Sequence, residues 1–105
     1  MYARMVIGEA VSEKQVLAFV RIYHEIILPE MREQPGFVSG QLLVEEDGGM
    51  AVSLTLWDTR EDCLAYHSSR AFRRFVNLTQ HLLAGHFTVK LFRDTEDRCP
   101  EEWRI

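Results

Sequence analysis

Three side chains able to do chemistry fall close together in mid-chain: Trp57, Tyr66 and His67, the last of them ten residues after the first. A histidine with an ordinary pKa near 6.5 is the natural proton handler at neutral pH. Aromatic rings around it would wall a pocket for a flat, apolar molecule. His67 is therefore the candidate catalytic residue, with Trp57, Tyr66, His24, Phe72 and Phe75 as candidates to bind substrate. His67 follows Cys63 by one helical turn, so the two share a face beside the expected mouth of the pocket. Helix phase gives only one of Tyr66 and His67 a central position. Plainer readings stand beside these: His67 as a half-buried tie between helix and strand end, Trp57 as packing or dimer contact. His24 falls in an apolar stripe between Val20 and Leu28, where an imidazole needs a partner or stays neutral. There the plain reading is a satisfied core or pocket-wall histidine, the functional one a second base. His81 and His86 have no ligand-like spacing with the others, so no metal site is expected. Arg70, Arg73 and Arg74 form a basic helical patch, read as a solvated face.

A strand and helices must hold these groups in place. Met50–Trp57 alternates as a strand does, and Asp58 or Thr59 caps the helix that follows, with Glu61 and Asp62 in its first turn. A break is expected near Ser68-Ser69. Helical spacing resumes with Phe72, Phe75, Val76, Thr79, Leu82 and Leu83, ending at Gly85. Upstream, Tyr2–Glu9 alternates as a first strand. Ser12 with Gln15 reads as the cap of a helix whose buried stripe is Val16, Leu17, Val20, Tyr23, Ile27 and Met31. Pro29 should kink that helix and Gln34-Pro35-Gly36 should stop it. Phe37–Glu46 is the second strand, turned back by Glu46-Asp47-Gly48-Gly49. His86–Arg93 is the last. The order is βαββαβ, a ferredoxin-like α+β domain with an antiparallel sheet. One domain spans 1–105, its end, 94–105, an acidic tail with a lone Trp103.

Bulk properties narrow the class. At 105 residues the chain suits one core. A formal charge of −4 and a pI near 5.5 argue against nucleic-acid or anionic-membrane surfaces, which favour Lys/Arg clusters. RNA-binding ferredoxin-like modules need aromatics and a basic glycine-rich signature on the third strand, and MAVSLTLW has neither. Cys63 and Cys99 form no CxxC and read as free thiols of a reducing cytosol. MYARMVIGEA lacks the layout of a signal peptide, and no apolar run approaches a membrane span. A cytoplasmic protein is expected.

The alternation also predicts two sheet faces. Met5, Ile7, Leu42, Val44, Val52, Leu54, Val89 and Leu91 are uniformly apolar and should carry the helices. Tyr2, Arg4, Val6, Gln41, Leu43, Ser53, Thr55, Trp57, Thr88, Lys90 and Phe92 make the other face, too apolar for open water. Such a face packs most simply against a copy of itself, giving a homodimer built sheet to sheet. Trp103 would then be a peg reaching the partner.

Gln34-Pro35-Gly36-Phe37 before the second strand, Trp57 closing the third, His67 ten residues later, then Ser69 and Phe72, resemble the pattern of the antibiotic biosynthesis monooxygenase-like members of the dimeric α+β barrel group. The resemblance covers about residues 2–93. It implies a ferredoxin-like protomer dimerising through its sheets. It also implies a pocket between sheet and helices that oxidises small aromatic, polyketide or quinol substrates, with no metal, flavin or haem cofactor. A haem-degrading branch has Trp where this chain aligns Tyr66, an axial His where it has Val76, and a first-strand Asn where it offers Met5 or Ile7. Those departures point away from haem degradation. Two rivals share the same apolar patterning: a non-catalytic dimer binding a small molecule or haem, and a structural or stress-associated dimer whose pocket its own side chains fill.

Overall fold

The computed structural model describes residues 1–10, 12–93 and 95. Strands β1 (Tyr2–Glu9), β2 (Phe37–Val44), β3 (Met50–Trp57) and β4 (Thr88–Arg93) form one antiparallel sheet in the order β2-β3-β1-β4. Helix α1 (Glu13–Ile22) runs through a π-helical turn (Tyr23–Ile27) into α2 (Leu28–Arg32). Helices α3 (Arg60–His67) and α4 (Arg70–Thr79) follow β3, and a 3₁₀ turn (Gln80–Leu82) leads toward β4. This is the expected ferredoxin-like α+β frame. The acidic tail, Cys99 and Trp103 lie outside the described residues.

The caps are those the sequence offers. Ser12 Oγ accepts the Gln15 N–H at 3.2 Å, Thr59 Oγ1 the Asp62 N–H at 3.1 Å, and Ser69 Oγ the Phe72 N–H at 3.1 Å. The kink expected at Pro29 takes the form of the π turn, closed by a bond from the Leu28 N–H to the Tyr23 carbonyl. Proline has no N–H to give the Glu25 carbonyl and its ring crowds it, and a widened turn relieves both problems. Within α1 the buried stripe contains Phe19, which is 3% exposed, whereas Leu17 is 64% exposed. Val16, Phe19 and Tyr23 share one helical face, and Leu17 points away from it. Between α2 and β2, Gly36 has φ +79°, and a Cβ there would collide with the Asp62 carboxylate. Its carbonyl accepts the Asp58 N–H at 2.7 Å, which ties this loop to the end of β3.

The two sheet faces are exchanged relative to expectation along β1 and β3. Arg4, Val6, Gly8, Ala51, Ser53, Thr55 and Trp57 are the buried residues there and lie on the helix face. Register joins Val6 to Val89 and Arg4 to Leu91, and joins Ser53 to Leu42 and Ala51 to Val44. The latter residue of each pair thus does lie on the helix side, as expected. Met5, Ile7, Val52, Leu54 and Leu56 lie on the open side with Leu43 and Phe92, which are 49% and 43% exposed. The error has a physical source. Uniform apolarity does not mark the core here, because the covered face keeps polar groups by bonding them to one another: Tyr23 Oη and Ser53 Oγ meet at 2.9 Å. Among the described residues the open face is the one with no second layer. A groove of about 410 Å³ lined by Met1, Tyr2, Ala3, Leu56, Phe92 and Arg93 also opens between these strands.

Candidate active site

Beneath α3, on the covered face of the sheet, a guanidinium is enclosed by rings. Arg4 sits in β1, which is paired along both edges by β3 and β4. It is 1% exposed. Its Cζ lies 4.1 Å from the Phe72 ring centroid and 5.3 Å from that of Tyr66, within reach of cation–π attraction. Among the described residues no carboxylate pairs with it; the ion pairs found there join Arg21 to Glu25 and Arg74 to Glu30. Burial pulls the Arg4 pKa down, and proximity to Tyr66 and Cys63 opposes that pull.

Each wall of this box has a local cause. Trp57 ends β3, stacks on Tyr66 at 5.1 Å and 24°, and meets the edge of Phe37. Its indole N–H donates to Thr55 Oγ1 at 2.9 Å, and Thr55 in turn donates to the Arg4 carbonyl at 3.3 Å. Ser69, at the junction of α3 and α4, accepts from Phe72 N and donates to the Tyr66 carbonyl at 2.6 Å. One serine thus sets both rings that cover the guanidinium. Phe75 meets Phe72 edge-on and extends the cluster toward Phe19, Tyr23 and Phe87.

His67 lies at the exposed rim, stacked on Phe72 at 5.3 Å and 27°. Its Nδ1 is 3.1 Å from Arg4 Nη2. Arginine has only donors, so Nδ1 accepts, and the neutral ring carries its proton on Nε2. Partial desolvation, then the Arg4 charge, pull the His67 pKa below its ordinary value. The imidazole is therefore an unprotonated acceptor at neutral pH. Burial pushes the Tyr66 hydroxyl well up, against the pull of Arg4, so it remains a phenol. Cys63 is buried beneath the cluster rather than at its mouth, and its thiol is also pushed up by burial.

Of the predicted site residues the structure gathers Trp57, Tyr66, His67 and Phe72 around one point, with Phe75 behind them. Tyr66 takes the central position and His67 the rim. His24 stands apart. It is exposed and touches the edge of Tyr23, so the imidazole expected in the apolar stripe is on the surface instead. Tyr23 holds the buried position beside it, at 0% exposed. Arg4, Ser53 and Thr55 were missed because they were assigned to a dimer face. A charge in the middle of a mostly apolar first strand was the available signal, since buried arginine is rare unless it has work to do. A cleft elsewhere, about 480 Å³ between the start of α1 and the β2–β3 turn, shares no residue with this cluster.

A four-stranded antiparallel sheet, with helices on one face and a charged aromatic cluster between them, defines a ferredoxin-like α+β protein. The antibiotic biosynthesis monooxygenase family model matches residues 4–78, and the chain belongs to that family. Among curated proteins none matches the sequence significantly. The solved structures it resembles include the ActVA-Orf6 monooxygenase of Streptomyces coelicolor in complex with nanaomycin D. That likeness has a TM-score of 0.80 at 16% identity, covering 94% of this chain and 91% of that one. SnoaB, a cofactor-independent oxygenase from Streptomyces nogalater, has a TM-score of 0.72 at 19% identity, covering 90% and 94%. Rv0793 from Mycobacterium tuberculosis has a TM-score of 0.73 at 15% identity, covering 94% and 100%. Among the described residues no helix is long and apolar enough to cross a membrane.

Proposed function

We propose that this protein is a cofactor-independent monooxygenase that oxidises a small phenol or quinol in the box around Arg4. The observation that carries this reading is the contact between Arg4 Nη2 and His67 Nδ1, a fixed positive charge beside an unprotonated base under aromatic rings. A phenolic hydroxyl entering between those two nitrogens meets a donor on one side and an acceptor on the other. Its proton passes to His67 Nδ1, and the phenolate keeps the Arg4 N–H. An electron-rich phenolate gives one electron to dioxygen, and the radical pair joins through a new C–O bond to a ring carbon. His67 returns its proton to that peroxide. Loss of the ring C–H proton then breaks the O–O bond and releases hydroxide, which that proton converts to water. One phenol and one dioxygen become one quinone and one water, so no outside reductant is needed. Trp57, Tyr66, Phe72 and Phe75 supply the dry, flat wall.

The test is oxygen uptake by metal-stripped protein over a panel of quinols and polycyclic phenols, with His67→Ala in parallel. Uptake above the autoxidation blank is expected, falling by on the order of 10²- to 10⁴-fold in the variant. Because the His67 pKa is lowered, the base stays neutral further into acid. The acid limb of the rate profile should therefore fall below the ordinary histidine value of about 6.5. Wild-type uptake no faster than the blank across the panel would overturn the assignment. A second reading, a structural dimer whose pocket its own side chains fill, is favoured by how tightly the box is closed, with Arg4 and Tyr66 1% and 2% exposed. It requires that no member of the panel raise the melting temperature.

The open sheet face fits the homodimer expected from the sequence, but through Met5, Ile7, Val52, Leu54 and Leu56 rather than through Arg4 and Thr55. Such a row of partly exposed apolar residues is what a second sheet would cover. Light scattering should return twice the 12.3 kDa chain mass; a particle of single-chain mass at micromolar concentration would remove the dimer.

A further inference from the structure

We infer that Arg4 and Tyr66 together form an anion subsite, one that holds an aromatic ligand by a negatively charged oxygen. The inference rests on the proposed reading of this cluster as the ligand site, and it specifies the form in which the ligand is held.

Among the described residues, the buried side-chain polar atoms without a hydrogen-bond partner are Arg4 Nε and Tyr66 Oη. Both can donate. The guanidinium Nε–H cannot accept at all, and the Tyr66 hydroxyl keeps its proton because burial disfavours the phenolate. A buried donor left without an acceptor costs about 1–3 kcal/mol, and more when charged. Here two such donors belong to side chains in direct contact, with Arg4 Cζ 5.3 Å from the Tyr66 ring centroid. What both lack is an acceptor.

The surroundings decide which acceptor. The titratable groups facing this spot are Arg4 from β1, Cys63, Tyr66 and His67 from α3, and Tyr23 from the π turn, with Glu30 of α2 further contributing to the field at Tyr66. Glu30 is itself engaged by Arg74. Among the described residues the positive charge of Arg4 is thus unbalanced inside a box of Trp57, Tyr66 and Phe72, and an anionic oxygen would both satisfy the donors and balance the charge. The stacked pairs Trp57–Tyr66 and His67–Phe72 give that oxygen a flat ring as its carrier. His67, exposed and covering Nη2, is the side chain that must swing outward to admit a ligand oxygen between its Nδ1 and Nη2. Ionised phenols and aromatic carboxylates share the required chemistry.

The experiment titrates 4-nitrophenol bound to the full chain, following its phenolate absorbance, with 4-nitroanisole as neutral isostere and benzoate as competitor. The bound phenol should ionise about tenfold or more readily than the free one, as a phenol beside an unpaired cation does. Nitroanisole should not bind saturably. Displacement of nitrophenolate by benzoate would extend the subsite to carboxylates, and failure to displace it would confine the subsite to phenolates. Arg4→Met should remove the shift and Arg4→Lys should retain part of it. Tyr66→Phe, which keeps the ring stack and deletes only the hydroxyl, should reduce it; circular dichroism checks each fold. No saturable binding, an unshifted titration, or an equal shift in Arg4→Met would overturn the subsite. The readout consumes no dioxygen, so a silent uptake panel leaves the subsite standing, and a failed titration leaves the oxygenase reading without its anion hold.

Discussion

Arg4→Met is expected to reduce oxygen uptake by on the order of 10²- to 10³-fold without lowering the melting temperature. The first half follows from the role of a preorganised donor in a dry site, where loss of one such group typically costs about that much. The second half follows from the cost of keeping the charge. The guanidinium is desolvated by burial and has no carboxylate within ion-pair distance among the described residues. Its compensations are one bond to a neutral imidazole and the faces of Phe72 and Tyr66. Replacing even well-paired buried charges by packed apolar side chains is often neutral or stabilising, by about 1–4 kcal/mol. Methionine roughly fills the volume and removes an unsatisfied donor. Calorimetry alongside the uptake assay checks both halves. A variant that melts markedly earlier would mean that Arg4 holds the fold together instead of serving a ligand.

Trp57→Ala should have the opposite profile, a loss of stability first and of function as a consequence. Its side chain is 0% exposed, stacked on Tyr66, edge-on to Phe37 and bonded through its N–H to Thr55. Truncating a buried Trp typically costs about 3–5 kcal/mol, a large share of what a domain of this size has. Urea unfolding should show a midpoint lowered by that cost divided by the slope, with the slope unchanged. Trp57→Phe should fall in between, because it keeps a ring against Tyr66 but leaves Thr55 without the indole donor. A cost below about 1 kcal/mol for the alanine variant would show the stack to be incidental to the fold.

Much of this was legible before any coordinates. Alternation marked β1 and β3 because residues two apart share a face, and Ser12, Thr59 and Ser69 marked helix starts because each can accept an otherwise unpaired N–H. The clustering of Trp57, Tyr66, His67 and Phe72 followed from strand end, cap and helical turn, all local features. What was not legible depended on which side of the sheet the helices lie. Period-two patterning separates two faces but does not say which one is covered, and the usual tie-break, apolarity, points the wrong way when the covered face holds bonded polar groups. That single inversion hid Arg4, Ser53 and Thr55. His24 was misplaced for a related reason: its neighbours Val20 and Leu28 suggested burial, whereas Tyr23 took that position.

The π turn at Tyr23–Ile27 is, in effect, one extra residue fitted into the first helix. A regular helix advances about 100° per residue, so without that insertion everything after it would be rotated by more than a quarter of a circle. At its start, Tyr23 must face the sheet to reach Ser53; downstream, Leu28 and Met31 must face it to close the core. No single unbroken helix of constant pitch serves both halves equally. The wide turn works as a phase corrector, letting one length of chain keep two alignments, with His24 and Glu25 on its outer side.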